Sequence, residues 1–215
     1  NTEAERQLCR SVFGRFLAPN SIVGCGIEMA PEAEWSGVKA KYELPDEYVL
    51  YLGRVSKAKV DKLLPYFLRC KAKYGGDAKL VLVGGFENEI RKFDSPDILF
   101  TGYVSDEEKT TIVRHATVMV NPSPMESLSL LMLEGMQSRI PLLVNGRSKV
   151  MKDHCRLSGA GLWYNNGRDF RKKLHRLLSD PELRRTMSEK GPAYVREHYD
   201  WEIIIPKLRT LIESI

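Results

Sequence analysis

Apolar and polar positions alternate along this chain in two distinct rhythms. Short runs of β-branched and aliphatic residues recur without polar interruption. Between them lie longer segments with apolar residues three and four positions apart. The first kind reads as buried strand and the second as amphipathic helix. Tyr48-Val49-Leu50-Tyr51-Leu52-Gly53 is the first clear strand. A helix is expected over 60–74, with Leu63, Leu64, Phe67, Leu68 and Cys70 inward and Pro65 as a kink. Strands are then expected at 79–85, 98–102, 117–120, 141–144 and 161–164. A short helix at 87–93 separates the second from the third. Ser105-Asp106-Glu107-Glu108 carries a capping box, with Ser105 as N-cap and Glu108 reaching back. A buried helix is expected from Leu128 to about 137. Further helices are expected at 169–178 and 181–198, where Asp180-Pro181 is a good start. An amphipathic segment, 201–215, closes the chain.

Near-continuous apolar strands alternating with helices argue a parallel sheet covered on both faces. Right-handed crossovers make that a doubly wound, Rossmann-like α/β domain. The first stretch differs. Residues 3–16 read as a helix attached to no strand of this sheet. Residues 18–20 are a break, Ser21-Ile22-Val23 a short strand, and Gly24-Cys25-Gly26 a turn. Residues 28–46, rich in Pro, Glu, Ala and Gly, read as a surface loop.

The 215 residues suit one domain or one with an appended segment. The net charge of +5 is mild and its cations are dispersed. The densest cluster, Arg168 to Arg176, alternates with Phe170, Leu174, Leu177 and Leu178. It reads as the solvated face of a helix, so no nucleic-acid partner is expected. A weak peripheral attraction to acidic lipid remains open. Cys9, Cys25, Cys70 and Cys155 are far apart and lack metal spacing. Reduced thiols and a cytoplasmic setting follow, with no metal and no cofactor expected. His115, His154, His175 and His198 show no spacing of a metal site or triad, and no nucleophile elbow is present.

The informative stretch is Asn121-Pro122-Ser123-Pro124-Met125-Glu126-Ser127-Leu128-Ser129, followed by apolar residues and Glu134. It leaves the carboxyl end of a strand, where open α/β sheets place ligands. A helix N-terminus there offers free N–H groups and the positive end of a dipole to an anion. Glu126 and Glu134 could accept hydroxyls on either side of that anion. A phosphate flanked by hydroxylated groups describes a nucleotide sugar. The bland alternative is that Glu126 caps the helix and Glu134 lies on its exposed edge. Gly53-Arg54-Val55-Ser56-Lys57-Ala58-Lys59, at the end of the first strand, lacks a Walker spacing. Its Arg and Lys could still neutralise a diphosphate. The alternative there is a solvated loop.

Taken in order, Gly-Arg then Lys, Gly-Gly after a strand, Thr-Gly-Tyr-Val-Ser, Pro-Ser-x-x-Glu and a second Glu resemble the C-terminal half of group 1 glycosyltransferases. These are the retaining, two-domain GT-B enzymes of glycosyltransferase family 4. The resemblance runs from about Ser21 to the end and is strongest from Tyr48 to Val144. It implies that Gly53, Arg54 and Lys59 face the donor diphosphate and that Glu126 contacts the donor sugar. It implies that Ser127, Leu128 and Ser129 form the N–H turn over sugar and phosphate. It further implies that Glu134 holds both ribose hydroxyls and that Tyr103 and Val104 frame the nucleobase. Arg54, Lys59 and Glu126 would be the catalytic set, acting without metal on a UDP- or GDP-sugar. The chain departs from the family where Val60 follows Lys59, where Leu128-Ser129 replace Phe-Gly, and where Arg139-Ile140 precede Pro141 in place of Gly.

The same resemblance divides the chain into three. Residues 1–45 would be a helix and linker left from the junction to an N-terminal acceptor domain. Residues 46–200 would bind the donor, and residues 201–215 would cross back. The expected activity is hexose transfer to a glycan or lipid-linked acceptor, with little or none from this half alone. The setting would be the cytoplasm, at or near the inner face of the membrane. A non-catalytic nucleotide-sugar-binding or protein-interaction module of the same fold stays open beside it.

Overall fold

The structure, a computed structural model, describes residues 2–14, 20–87 and 95–213. Its strands are β1 (Tyr48–Leu52), β2 (Lys79–Val83), β3 (Ile98–Gly102), β4 (Val118–Asn121), β5 (Leu142–Asn145) and β6 (Gly161–Tyr164). All pair in parallel, in the order β3-β2-β1-β4-β5-β6. The helices are α1 (Glu3–Phe13), α2 (Trp35–Tyr42), α3 (Lys57–Val60), α4 (Leu63–Tyr74), α5 (Asp106–Arg114), α6 (Leu130–Gln137), α7 (Lys149–Ser158), α8 (Gly167–Ser179), α9 (Pro181–Tyr199) and α10 (Trp201–Glu213).

The uninterrupted apolar runs are explained by two cores, one on each face of the sheet. Val49, Leu80, Leu82, Val118 and Val120 meet Phe67 of α4 and Phe170, Leu174 and Leu177 of α8. Leu50, Val81, Met119 and Val144 meet Ile112 of α5, Leu133 of α6 and Met151 of α7. A strand buried on both sides has no polar face to show. The chain reverses direction of winding between β1 and β4, so their carboxyl ends open the crevice where such sheets bind ligands. This is the doubly wound half of a GT-B fold.

Several local expectations hold and several are corrected. The capping box at α5 is complete: Ser105 Oγ accepts from the Glu108 N–H at 3.2 Å, and Glu108 Oε2 accepts from the Ser105 N–H at 3.0 Å. The cationic run 168–176 lies on α8, whose Phe170, Leu174 and Leu177 are buried. The helix expected over 60–74 is instead two pieces, α3 and α4. Pro65 falls in the first turn of α4, where its missing N–H has no helical partner to lose, so it causes no kink. Residues 21–23 form no strand, because the segment lies away from the sheet and Ile27 N–H bonds the Tyr199 carbonyl at 2.9 Å. The expected loop 28–46 contains α2, capped by Glu34, whose carboxylate accepts from Ser36 and Gly37 N–H. The buried helix begins at Leu130, not Leu128, because Ser129 adopts the left-handed conformation and stops it. Helix α7 had no sequence expectation at all. Most of the short helix expected at 87–93 lies outside the described residues. The four cysteines are all free.

Candidate functional site

The ends of β1, β2 and β3 are stitched together by backbone alone. Gly53 N–H donates to Val83 O, Gly84 N–H to Gly102 O and Val55 N–H to Gly85 O, each at 2.9 Å. Gly53 and Gly84 have φ of 132° and 130°, a region that side chains rarely enter. A Cβ on Gly84 would stand 2.3 Å from the Gly53 carbonyl oxygen. The two loops can therefore lie against each other only as glycines. This packing aims the chain so that Arg54 and, one α3 turn later, Lys59 face the crevice.

The other wall comes from the loop between β4 and α6. Asn121 fixes it: its side-chain oxygen accepts from Ser123 N–H at 3.0 Å, and its amide donates to Ser129 Oγ at 3.1 Å. Asn145 at the end of β5 donates to Pro122 O at 2.9 Å. Leu128 turns its side chain into the core, leaving Ser127 and Ser129 toward the opening. Ser129 holds φ 65° and ψ 70°, a left-handed geometry that glycine adopts at less cost than serine. Among the described residues, the N–H groups of Ser127, Leu128 and Ser129 make no hydrogen bond. Together with the free N–H groups of the first α6 turn, they form a donor-rich rim suited to an anion.

These walls enclose a cleft of about 530 Å³. It brings together seven of the ten sequence-predicted residues: Gly53, Arg54, Lys59, Glu126, Ser127, Leu128 and Ser129. Arg54 and Lys59 are exposed and, among the described residues, neither has an ion-pair partner. Cys25, Tyr51, Asn121 and Leu131 also line the cleft and were not expected there. The Tyr51 hydroxyl donates to Arg54 O at 2.8 Å. Burial, with the negative charge of Glu126 adding to it, pushes that hydroxyl up to about 12. Asn121 was legible in principle, as a polar residue at the end of an apolar strand.

Three predicted residues lie just beyond the cleft. Glu134 is one helical turn past Leu131 and is 12% exposed, so it is not on an open edge of α6. Its Oε1 accepts from Lys109 Nζ of α5 at 3.2 Å, and its Oε2 is buried without a partner. Tyr103 is 86% exposed, with its ring over Gly85. Val104 is half-buried against the core. A second hollow, of about 640 Å³, lies between α1, α7 and α9 and holds none of the predicted residues. It contains His154 and His198 around Tyr194, a grouping that sequence spacing did not reveal. Among the described residues, no group of three or more His, Cys, Asp or Glu is placed to hold a metal ion. Nor is any described helix long and apolar enough to cross a membrane.

The family described as "Glycosyl transferases group 1" matches residues 37–194, well over half of the chain. The chain belongs to this family. Among its relatives, an α-D-kanosaminyltransferase of Streptomyces kanamyceticus is 30% identical over 174 residues, covering 74% of this chain and 44% of the relative. The sucrose-phosphate synthase of Thermosynechococcus elongatus shares the fold with a TM-score of 0.80 at 20% identity, over 99% of this chain and 57% of that one. The Anabaena protein HepE, solved with UDP and glucose, aligns with a TM-score of 0.68 at 13% identity, over 84% and 52%. The chain thus spans about half the length of each of these three proteins.

Proposed function

We propose that this chain is the donor-binding half of a retaining hexosyltransferase that uses a UDP- or GDP-sugar. The observation carrying this is the cleft itself: two cations without an ion-pair partner among the described residues on one wall, free N–H groups at a helix start on the other, and a carboxylate between. Arg54 and Lys59 hold the diphosphate and oppose its growing charge as it leaves. The rim of Ser127 to Ser129 adds N–H donors to the same anion. Glu126 accepts from the sugar hydroxyls and fixes the ring for reaction. Glu134 accepts from the ribose, and Tyr103 and Val104 border the base. The presence of UDP and glucose in the HepE structure supports this class of donor.

The reaction balances without a cofactor. The acceptor hydroxyl oxygen bonds to the anomeric carbon from the leaving-group face. The bond from that carbon to the diphosphate oxygen breaks, and the oxygen keeps the electron pair. The hydroxyl proton passes to that same oxygen. An N-terminal acceptor domain would complete the cleft, with 1–45 as the junction to it and 201–215 crossing back. The acceptor would be a glycan or a lipid-linked acceptor, met in the cytoplasm.

Thermal unfolding of the chain against UDP, GDP, ADP and their hexose conjugates tests this. Ligand at a hundredfold excess over its dissociation constant stabilises by about 2.7 kcal/mol. For a chain of this size that is a rise of roughly 5 to 10 °C. A rise with one base names the nucleotide. No rise with any nucleotide rejects donor binding by this half.

A further inference from the structure

The rim that offers N–H groups to the donor cleft has a reverse side, and two buried side chains act on it. Thr2 Oγ1 donates to Ser127 O at 3.3 Å. The same hydroxyl oxygen accepts from Glu5 N–H at 3.1 Å and caps α1, which fixes its place. Leu128 is faced by His154 of α7. That ring is 3% exposed, and its Nδ1 lies 2.9 Å from the Tyr194 hydroxyl. Tyr194 and Tyr199 pack edge-on against it and hold its plane. The second ring nitrogen, Nε2, is buried and forms no hydrogen bond of good geometry. Burial lowers the ring's proton affinity, and the Leu128 backbone is the first of the influences that raise it. The backbone group that favours an imidazole proton is a carbonyl, and a carbonyl oxygen can only accept. Nε2 therefore carries the proton, and Nδ1 accepts from the Tyr194 hydroxyl.

Both side chains act from one side of the loop. Thr2 and His154 line the hollow of about 640 Å³ between α1, α7 and α9, whereas Ser127, Leu128 and Ser129 line the donor cleft. All peptide bonds among the described residues are trans. A trans peptide is planar, with its C=O and its N–H pointing opposite ways. The Ser127 carbonyl shares its plane with the Leu128 N–H, and the Leu128 carbonyl with the Ser129 N–H. Drawing those two carbonyls toward the hollow turns those two N–H groups toward the cleft.

We infer that His154 and Thr2 are positioning residues for the donor: by holding the Leu128 and Ser127 carbonyls from behind, they aim the Ser129 and Leu128 N–H groups at the diphosphate. This rests on the donor reading above, which supplies the anion. An anion on the Ser129 N–H polarises the whole amide and makes the Leu128 carbonyl a stronger acceptor. The contact from Nε2–H then tightens, so the His154 ring senses a diphosphate that it never touches.

The test uses inorganic pyrophosphate, which probes the diphosphate site whatever the base, with binding followed by calorimetry on the chain. His154→Phe keeps a ring in place but donates nothing, and Thr2→Val keeps the shape without the hydroxyl. Each is expected to weaken pyrophosphate binding about tenfold, the worth of one hydrogen bond to a charged group. His154→Gln and Thr2→Ser return a donor to the same place and should recover most of that affinity, which a packing role alone would not do. A second measurement needs no variant. In wild type carrying isotope-labelled histidine, the Nε2–H signal of His154 is identified by its contacts to the Tyr194 and Tyr199 rings. It should move downfield as pyrophosphate saturates the chain. Wild-type affinity in His154→Phe or Thr2→Val, or a ring signal that pyrophosphate leaves unmoved, overturns the inference. A wild type that binds neither pyrophosphate nor any nucleotide rejects the donor reading instead.

Discussion

Lys109 and Glu134 face each other across α5 and α6 at 3.2 Å, and the second oxygen of that carboxylate is buried without a partner. The pair is 21% and 12% exposed, and Asp106 lies on the outer side of Lys109 at 3.5 Å. Removing one member of a largely desolvated pair leaves the other uncompensated, which costs more than the pair itself contributes. Lys109→Met is expected to destabilise the chain by about 1 to 3 kcal/mol in urea unfolding. Lys109→Met/Glu134→Leu should cost less than the two single changes summed. In the proposed site, Glu134→Gln should also weaken nucleotide binding. Discrimination between ribo- and 2′-deoxyribonucleotides, measured by thermal shift, would report that loss directly.

Gly84 allows a narrower prediction. Its Cβ position is occupied by the Gly53 carbonyl, and its φ of 130° is unfavourable for any side chain. Gly84→Ala must therefore push apart the loops that aim Arg54 and Lys59. A destabilisation of roughly 1 to 3 kcal/mol is expected from overpacking alone. Arg54→Ala and Lys59→Ala should behave in the opposite way, with stability unchanged and the rise with nucleotide diphosphates lost. If Gly84→Ala were neutral, the close approach of the two loops would not be what shapes this wall.

The inner strands were legible because their central residues are buried on both faces, so those runs carry no polar residue to obscure them. Helix α7 was not, since Lys149, Lys152, Asp153 and Arg156 surround a narrow stripe of Val150, Met151 and Cys155. The same is true of α2, whose eight residues carry one buried side chain and an unusual Glu34 cap. Arg54, Lys59 and Glu126, all singled out from the sequence, line one cleft because they follow the carboxyl ends of β1 and β4, where chain direction brings them to the crevice. Lys109 was not found, because its partner is 25 residues away and their meeting depends on how α5 and α6 pack. His154 and His198 escaped for a similar reason, meeting only through the packing of α7 on α9.

Arg139 shows a cost the fold carries openly. It has φ 64° just after the Ser138 cap of α6, where the family commonly has glycine before proline. Its neighbour Ile140 donates to Gly135 O at 2.9 Å and Ser138 to Glu134 O at 2.9 Å, so the turn is held by backbone bonds that any residue can make. Arg139→Gly removes the left-handed penalty and is expected to stabilise by about 1 kcal/mol. The measurement is the urea midpoint at constant slope. A loss of stability would mean that the arginine side chain contributes more than its backbone costs.

His154 gives the chain an acid sensitivity of defined sign. The ring is 3% exposed, its Nδ1 lies 2.9 Å from the Tyr194 hydroxyl, and Tyr194 and Tyr199 pack edge-on against it. Burial brings it down to about 4 from an ordinary 6.5, against smaller opposing influences from the Leu128 backbone and Asp153. The unfolded chain therefore binds this proton at a higher pH than the folded chain does. Stability is unaffected above pH 6.5, falls as the pH drops toward 4, and levels off below that. The full loss is on the order of 3 kcal/mol. That corresponds to roughly 6 to 12 °C in the unfolding midpoint. Glu108 adds a separate loss at lower pH: its hydrogen bond from Lys41, then that from the Ser105 backbone, holds it down to about 2 from 4.5. Its contribution is present above 4.5 and disappears as the pH falls through 2. The two are separable by substitution. His154→Gln should flatten the midpoint between pH 6.5 and 4.5 while leaving the fall between 4.5 and 2 intact. A wild-type midpoint already flat between pH 6.5 and 4 would show that the His154 ring is not held neutral in the fold.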